Sequence, residues 1–240
     1  MMKIFKFILL TFFCISAYAK PLIIGTDGVY PPFDYRDENS TLVGFDVDLI
    51  DAISKKAGFE YEFIVMGFDG LIPALKTGKI DIIASAMSVT SEREKAVDFS
   101  DNYFLTENLY LKRADNTSIK SLNDLKGKKI GVLLGSAQEF SARKIAGVNV
   151  IPTKEIFTSI LALKNGKVDV VLVDNSIGYG FLKKNTDLAW FHKQIDDGDG
   201  FAFAFDKGKF KDLITKFNTA LKEIKADGTY DKLLEKYELK

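Results

Sequence analysis

Few residues here are able to do chemistry beyond simple charge. The chain has one cysteine, Cys14, and one histidine, His192; only four of its 33 basic residues are arginine, namely Arg36, Arg93, Arg113 and Arg143. His192 sits in a charged, aromatic stretch with no partner suggesting a triad or a metal cluster, so it reads as a structural or surface histidine. Lysine serves the general solubility role, which makes each arginine worth a question. The planar fork of Arg93 can pair bidentately with a carboxylate, and Ser91-Glu92-Arg93-Glu94 has the capping-box pattern of a helix start, whose N–H groups also favour anions. Taken alone, that pattern fits a solvated surface arginine equally well.

Two similar segments supply the elements that would hold such residues. Residues 74–83 read ALKTGKIDII and residues 162–171 read ALKNGKVDVV. Each parses as the end of a helix, a lysine in its last turn (Lys76, Lys164), a glycine stop (Gly78, Gly166) and an apolar strand. The strands end in polar residues, Ser85 with Ser88 in the first copy and Asp174 in the second. Ligands of open α/β sheets bind beyond the carboxyl ends of strands. Two such units therefore suggest two lobes facing one cleft.

The first nineteen residues form a separate segment. Lys3 and Lys6 give a positive start, Phe7 to Ile15 an apolar run, and Ala17-Tyr18-Ala19 an A-x-A cleavage signal. The run is too short for a membrane helix, and Phe13 before Cys14 is too bulky for a lipoprotein site. Cleavage after Ala19 would leave 221 of 240 residues and remove the only cysteine, and with it any disulfide or thiolate chemistry. The mature chain would carry 31 basic and 33 acidic residues. A balance of about −2 offers no basic excess for nucleic acid.

Downstream, Leu22–Thr26 reads as a strand and Tyr30-Pro31-Pro32-Phe33 as loop. Residues 45–56 read as a helix with Phe45, Leu49, Ile50 and Ile53 inward, 61–66 as a strand, and a short helix begins near Ser91. Strands follow at 109–112, 130–134 and 148–151, with 114–125 leading into a helix and Gly135-Ser136-Ala137-Gln138 opening another. A turn at Asp196–Gly200, a core stripe of Phe201, Phe203 and Phe205, and helices at 209–225 and 230–237 close the chain. The class is α/β with mainly parallel sheets.

Several passages carry a family resemblance: Gly25-Thr26-Asp27 with Tyr30-Pro31-Pro32-Phe33, Gly44-Phe45-Asp46-Val47-Asp48-Leu49, Leu71-Ile72-Pro73-Ala74-Leu75, Met87-Ser88-Val89-Thr90 with Glu92-Arg93, Asp98-Phe99-Ser100, Leu125-Lys126-Gly127-Lys128, and Ala226-Asp227-Gly228-Thr229-Tyr230. Over residues 22–237 the chain resembles the periplasmic polar-amino-acid-binding proteins of ABC importers (solute-binding protein family 3), close to the lysine/arginine/ornithine, histidine and glutamine binders. The resemblance implies a two-lobed type II clamshell with two crossover strands. Residues 1–19 would be the signal peptide, 20–106 and 200–240 the first lobe, and 107–199 the second.

The resemblance also implies roles. Arg93 would bind the ligand carboxylate, with N–H groups from Ser88, Ser136 and Ala137; relatives often carry threonine at the position of Ala137. Asp174 would take the ammonium, helped by the Ser88 hydroxyl and the Ala86 carbonyl. Asp174 also fits an N-cap for a helix starting near Ser176. Tyr30 and Phe68 would sandwich the side chain. Ser85 follows on the same strand, Asp27 would contact the far end of a polar or basic side chain, and Asp46 would lie nearby, although its helix position also fits capping. Two acids beside an aromatic slot lean toward arginine or lysine.

The expectation is thus an exported, periplasmic, monomeric binder of an L-amino acid that needs no metal or cofactor and serves an ABC permease. Two alternatives share the fold. One is a cyclohexadienyl dehydratase-like enzyme with Asp174, Asp27 or Glu139 as general acid; the other is a sensor module acting through a separate membrane partner.

Overall fold

The repeated segments fold alike, and their aspartates explain how. In the computed structural model, which describes residues 20–195 and 198–240, Gly78 and Gly166 both adopt left-handed φ, 70° and 65°. The chain then turns back, with the Lys79 and Lys167 amides donating to the Ala74 and Ala162 carbonyls at 2.9 and 2.8 Å. Asp81 donates its amide to the Ile23 carbonyl at 2.7 Å and accepts the Ile23 amide on its carboxylate at 2.9 Å. Asp169 does the same to Lys129, at 2.9 Å in both directions. Each aspartate therefore clasps the start of the neighbouring parallel strand and satisfies an amide that the sheet leaves over.

Each clasp belongs to its own five-stranded sheet. The first has the order Tyr61–Val65, Leu22–Thr26, Ile82–Ile83, Ala204–Asp206, Val97–Phe99. The second runs Asn149–Thr153, Lys129–Leu133, Val170–Asp174, Glu107–Arg113, Leu188–Ile195. The first three strands of each are parallel, but Ala204–Asp206 and Glu107–Arg113 run antiparallel to both of their neighbours. The sheets are mixed where the sequence predicts mainly parallel ones. Strands next to the passages between lobes return against the β–α–β units, and periodicity carries no information on strand direction.

The two lobes define the type II clamshell architecture. The passages between them meet at a bridge between Phe104 and Phe201, where the Phe201 amide donates to the Phe104 carbonyl at 2.7 Å. Phe33, Phe104 and Phe201 interlock there, with the Phe33 ring 5.1 Å from each of the other two. Phe201, Phe203 and Phe205 are wholly buried, as the stripe predicts.

Three local readings change. Pro31-Pro32-Phe33 are turn, as read, but Tyr30 ends a strand, and Val29–Tyr30, Asp34–Arg36 and Leu42–Val43 form a small antiparallel sheet around that turn. The helix expected within 114–125 is only a 3-10 turn, Leu122–Leu125, where the Ser121 amide donates to Asp124 at 2.9 Å. The short helix Ser91–Glu94 is capped by Thr90, whose hydroxyl accepts the Arg93 amide at 3.3 Å, so the cap lies one residue before the expected serine. The leader expected over residues 1–19 lies outside the described residues, as do two residues of the turn at Asp196–Gly200. No helix among the described residues is long and apolar enough to cross a membrane.

Candidate functional site

A small cavity lies between the lobes, lined by Tyr30, Phe68, Ser85, Ala86, Ser88 and Arg93 from one side and Leu133, Ser136, Ala137, Gln138 and Asp174 from the other. Nine of the eleven residues singled out in the sequence line it. Asp27 and Asp46 do not; they stand behind its wall.

The first wall is built where strand Ile82–Ile83 stops and the chain turns through residues 84–88. Ala86 is one of the few non-glycine residues with a left-handed backbone, φ 42°, a conformation that surrounding structure must impose. Asp46 imposes it, accepting the Ala86 amide at 2.7 Å from the first turn of helix Phe45–Ala57. The N-cap of that helix is Gly44, so Asp46 is not used for capping. Beside it, the Ser85 hydroxyl accepts the Asp27 amide at 3.0 Å and donates to the Asp34 carboxylate at 3.3 Å. Asp27 accepts the Val29 amide at 2.9 Å and Asp34 the Gly28 amide at 2.7 Å.

This places three buried acids, Asp27, Asp34 and Asp46, behind Ser85 and Ala86. Burial pushes the Asp34 carboxyl well above the usual range, with Asp27 beside it adding repulsion. Burial also raises Asp27, partly offset by its hydrogen bonds to Asp34 and to the Val29 amide. Asp46 is pushed up to about 7 by burial against the opposing pull of the Ala86 amide. Asp34 escaped the sequence reading because it begins a strand in a segment whose two prolines read as loop.

Arg93 is 6% exposed, a level at which a guanidinium must be satisfied. One of its nitrogens donates to the Ser88 carbonyl at 2.8 Å and another reaches the Gly135 carbonyl of the opposite lobe at 3.0 Å. Its carbon lies 5.4 Å from the centre of the Phe68 ring, within cation–π range. The fork is thus held flat between an aromatic face and both lobes.

The second wall ends in Asp174, the last residue of the fully buried strand Val170–Asp174. Asp174 precedes helix Asn175–Lys184, yet its side chain makes no cap bond. Its carboxylate instead accepts the Thr106 hydroxyl and the Gln138 side-chain amide, each at 3.0 Å, and the Tyr30 hydroxyl from across the cleft. Burial and the nearby Asp174 charge raise the Tyr30 phenol well above its ordinary value, so it stays a donor. Ser136 caps helix Ala137–Arg143, its hydroxyl accepting the Glu139 amide at 3.1 Å. Leu133 and Gln138 were missed in the sequence; Gln138 directly follows Ala137 in the same first turn, which was a signal available to read. His192 lies away from this cavity on strand Leu188–Ile195, its ring 5.4 Å from that of Tyr110.

A cavity between two α/β lobes, with a guanidinium on one wall and a carboxylate on the other, defines a solute-binding clamshell. The chain belongs to the bacterial extracellular solute-binding proteins, family 3, whose family model matches residues 22–240. It is 50% identical to a probable histidine-binding protein of Campylobacter jejuni over 218 residues, covering 91% of this chain and 85% of that protein. An ancestral arginine-binding protein solved with arginine superposes with a TM-score of 0.86 at 44% identity, covering 92% of this chain and 99% of that one. An ancestral arginine-binding protein solved with glutamine gives 0.84 at 45% identity, over 90% and 97% of the two chains.

Proposed function

We propose that this protein captures an L-amino acid between its lobes and delivers it to the permease of an ABC importer. The observation that carries the reading is the opposition of Arg93 and Asp174 on one cavity. An amino acid offers a carboxylate and an ammonium at fixed spacing, and each wall supplies the opposite charge. Ser88, Ser136 and Ala137 would add N–H groups to the carboxylate, and Ala86 its carbonyl to the ammonium. Both ligand ends bridge the lobes, so binding and closure would be linked.

Tyr30 and Phe68 would flank the ligand side chain, which points toward Ser85 and the acids behind it. The carboxyl groups there can accept hydrogen bonds and would be drawn toward ionisation by a cation brought beside them, which favours arginine, lysine or a protonated histidine. The histidine-binding relative and the arginine-bound neighbour support that class, whereas the glutamine-bound neighbour supports an uncharged polar alternative. Asp27 and Asp46 would act through the wall, Asp46 by fixing Ala86.

The role is binding rather than catalysis. The one carboxylate among the lining residues, Asp174, already accepts three side-chain donors, which suits a fixed partner for an ammonium better than a proton donor. We further read the protein as an exported monomer, cleaved after Ala19, with a first lobe of residues 20–106 and 200–240 and a second of 107–199.

The test is a thermal-shift panel of the mature protein, unfolded and refolded to strip carried-over ligand, against each common L-amino acid. A ligand at 1,000 times its dissociation constant adds about 4 kcal/mol, about 10 °C for a chain of this size. A shift with arginine, lysine or histidine that is lost in Arg93→Ala and Asp174→Ala supports the reading. Silence across the panel overturns it.

A further inference from the structure

We infer that Gln138 and Thr106 are positioning residues that fix the Asp174 carboxylate for the ligand's α-ammonium, and that Asn108 fixes Gln138 in turn. The inference rests on the amino-acid reading above and extends it to residues that need not touch the ligand's charged ends.

Asp174 ends its strand with a short side chain that could rotate toward the helix behind it, and that rotation is blocked from two elements. Thr106, in the passage between the lobes, donates to the near carboxylate oxygen at 3.0 Å. Its single proton has a second acceptor, the Asn175 side-chain oxygen at 3.2 Å, but that oxygen already receives the Ser176 amide at 2.8 Å. The charged acceptor is the stronger one. Gln138 approaches from the first turn of helix Ala137–Arg143, and its side-chain nitrogen lies 3.0 Å from both Asp174 and the Asn108 oxygen. An amide NH₂ has two protons, so one serves each acceptor.

Asn108 is wholly buried and sits directly opposite Asp174 in the antiparallel register. The sheet therefore fixes its backbone beside Asp174, with its side-chain oxygen in reach of Gln138. Thr106 and Gln138 are 7% and 4% exposed, so neither donor is loosened by solvent. The arrangement holds one carboxylate oxygen and leaves the other facing Tyr30 across the cleft.

A merely structural role and a positioning role differ in which ligand feels the loss. The test uses isothermal titration of the mature protein with L-arginine, L-histidine and L-glutamine, each beside its des-amino acid, which keeps the carboxylate and lacks the ammonium. Thr106→Val and Gln138→Met should each weaken the amino acid that binds by about ten-fold, the worth of a hydrogen bond to a charged group, and leave its des-amino acid unchanged. Thr106→Ser, which keeps the hydroxyl, should restore wild-type affinity and guards against a folding defect in the valine variant. Equal weakening of both probes, or of neither, overturns the inference. Wild-type protein that binds none of the three amino acids overturns the amino-acid reading instead. Wild type that binds an amino acid and its des-amino form equally overturns the role of Asp174.

Discussion

Replacing Asp46 by asparagine should stabilise this protein, and by an amount that grows with pH. The Asp46 carboxyl is wholly buried and pushed up to about 7 from 3.8. A group whose folded value is raised gives its full stability below the unfolded value and loses it as pH rises through the folded one. Below pH 3.8 both states hold the proton; between 3.8 and 7 the unfolded chain releases it first, and stability falls. By linkage the charge at Asp46 costs about 1.7 kcal/mol at pH 5 and about 4.3 kcal/mol at pH 8. Asparagine keeps the shape and an oxygen for the Ala86 amide but cannot ionise, so Asp46→Asn recovers this difference. Urea denaturation of both proteins at pH 5 and pH 8 should show the advantage of Asp46→Asn rising by about 2.6 kcal/mol between the two. Asp27 and Asp34 also titrate and lie close enough to Asp46 to feel its charge, so only the part of their titration that is independent of Asp46 cancels between the two proteins. A constant difference across that pH range, or a variant less stable at pH 8, would refute the view of Asp46 as a buried charge held against its solvation.

Three further outcomes follow from contacts already described. Arg93→Lys keeps the charge but not the fork that spans the Ser88 and Gly135 carbonyls, so amino-acid affinity in titration calorimetry should fall about ten-fold or more; unchanged affinity would mean that only charge matters. Asp81→Ala strands the part-buried Ile23 amide and should cost about 1–3 kcal/mol in chemical denaturation, whereas Asp169→Ala frees the exposed Lys129 amide, which water can satisfy, and should cost about 1 kcal/mol or less. A larger loss at Asp169 than at Asp81 would contradict that difference in burial. Gly44 has φ 139° and a Cβ there would sit 2.1 Å from the Phe33 carbonyl oxygen, so Gly44→Ala should lower the melting temperature sharply, and a melting curve like that of the wild type would contradict the packing between that turn and helix Phe45–Ala57.

What the sequence disclosed depended on whether the signal was local. The helix–glycine–strand repeats were legible because left-handed caps, last-turn lysines and apolar strands each leave a mark within ten residues. Helix Phe45–Ala57 was legible because its inward face repeats at helical spacing. Strand direction was not, since Ala204–Asp206 would look the same paired either way. The segment at 114–125 read as leading into a helix, but Asn116 and Asp124 satisfy nearby backbone amides instead, Asn116 that of Ser118 at 3.0 Å and Asp124 those of Lys120 and Ser121 at 2.9 Å. Asp34 and Gln138 were hidden for another reason. Each matters through a partner thirty or more residues away, Ser85 for one and Asn108 and Asp174 for the other, and only the place of Gln138 beside Ala137 in one helical turn left a local mark.

The two repeats also explain why the walls of the cavity carry opposite charge. Both strands are clasped at their start by the same aspartate device, but they differ in how far they run. The first stops at Ile83, and the chain bends through Ala86 with its backbone turned out of the sheet. That wall can therefore offer main-chain groups, and the arginine that follows can lay its guanidinium across them. The second continues through five buried residues to Asp174, so what reaches the cavity is the side chain at the strand's end. One lobe is thereby suited to an anion and the other to a cation. A ligand with only one charge would bring no opposite charge to one of the two walls, and would gain nothing there against the desolvation of its buried ion. A zwitterion meets both, and only when the lobes come together. Selection for amino acids and dependence on closure would thus have one origin, the unequal length of two otherwise equivalent strands.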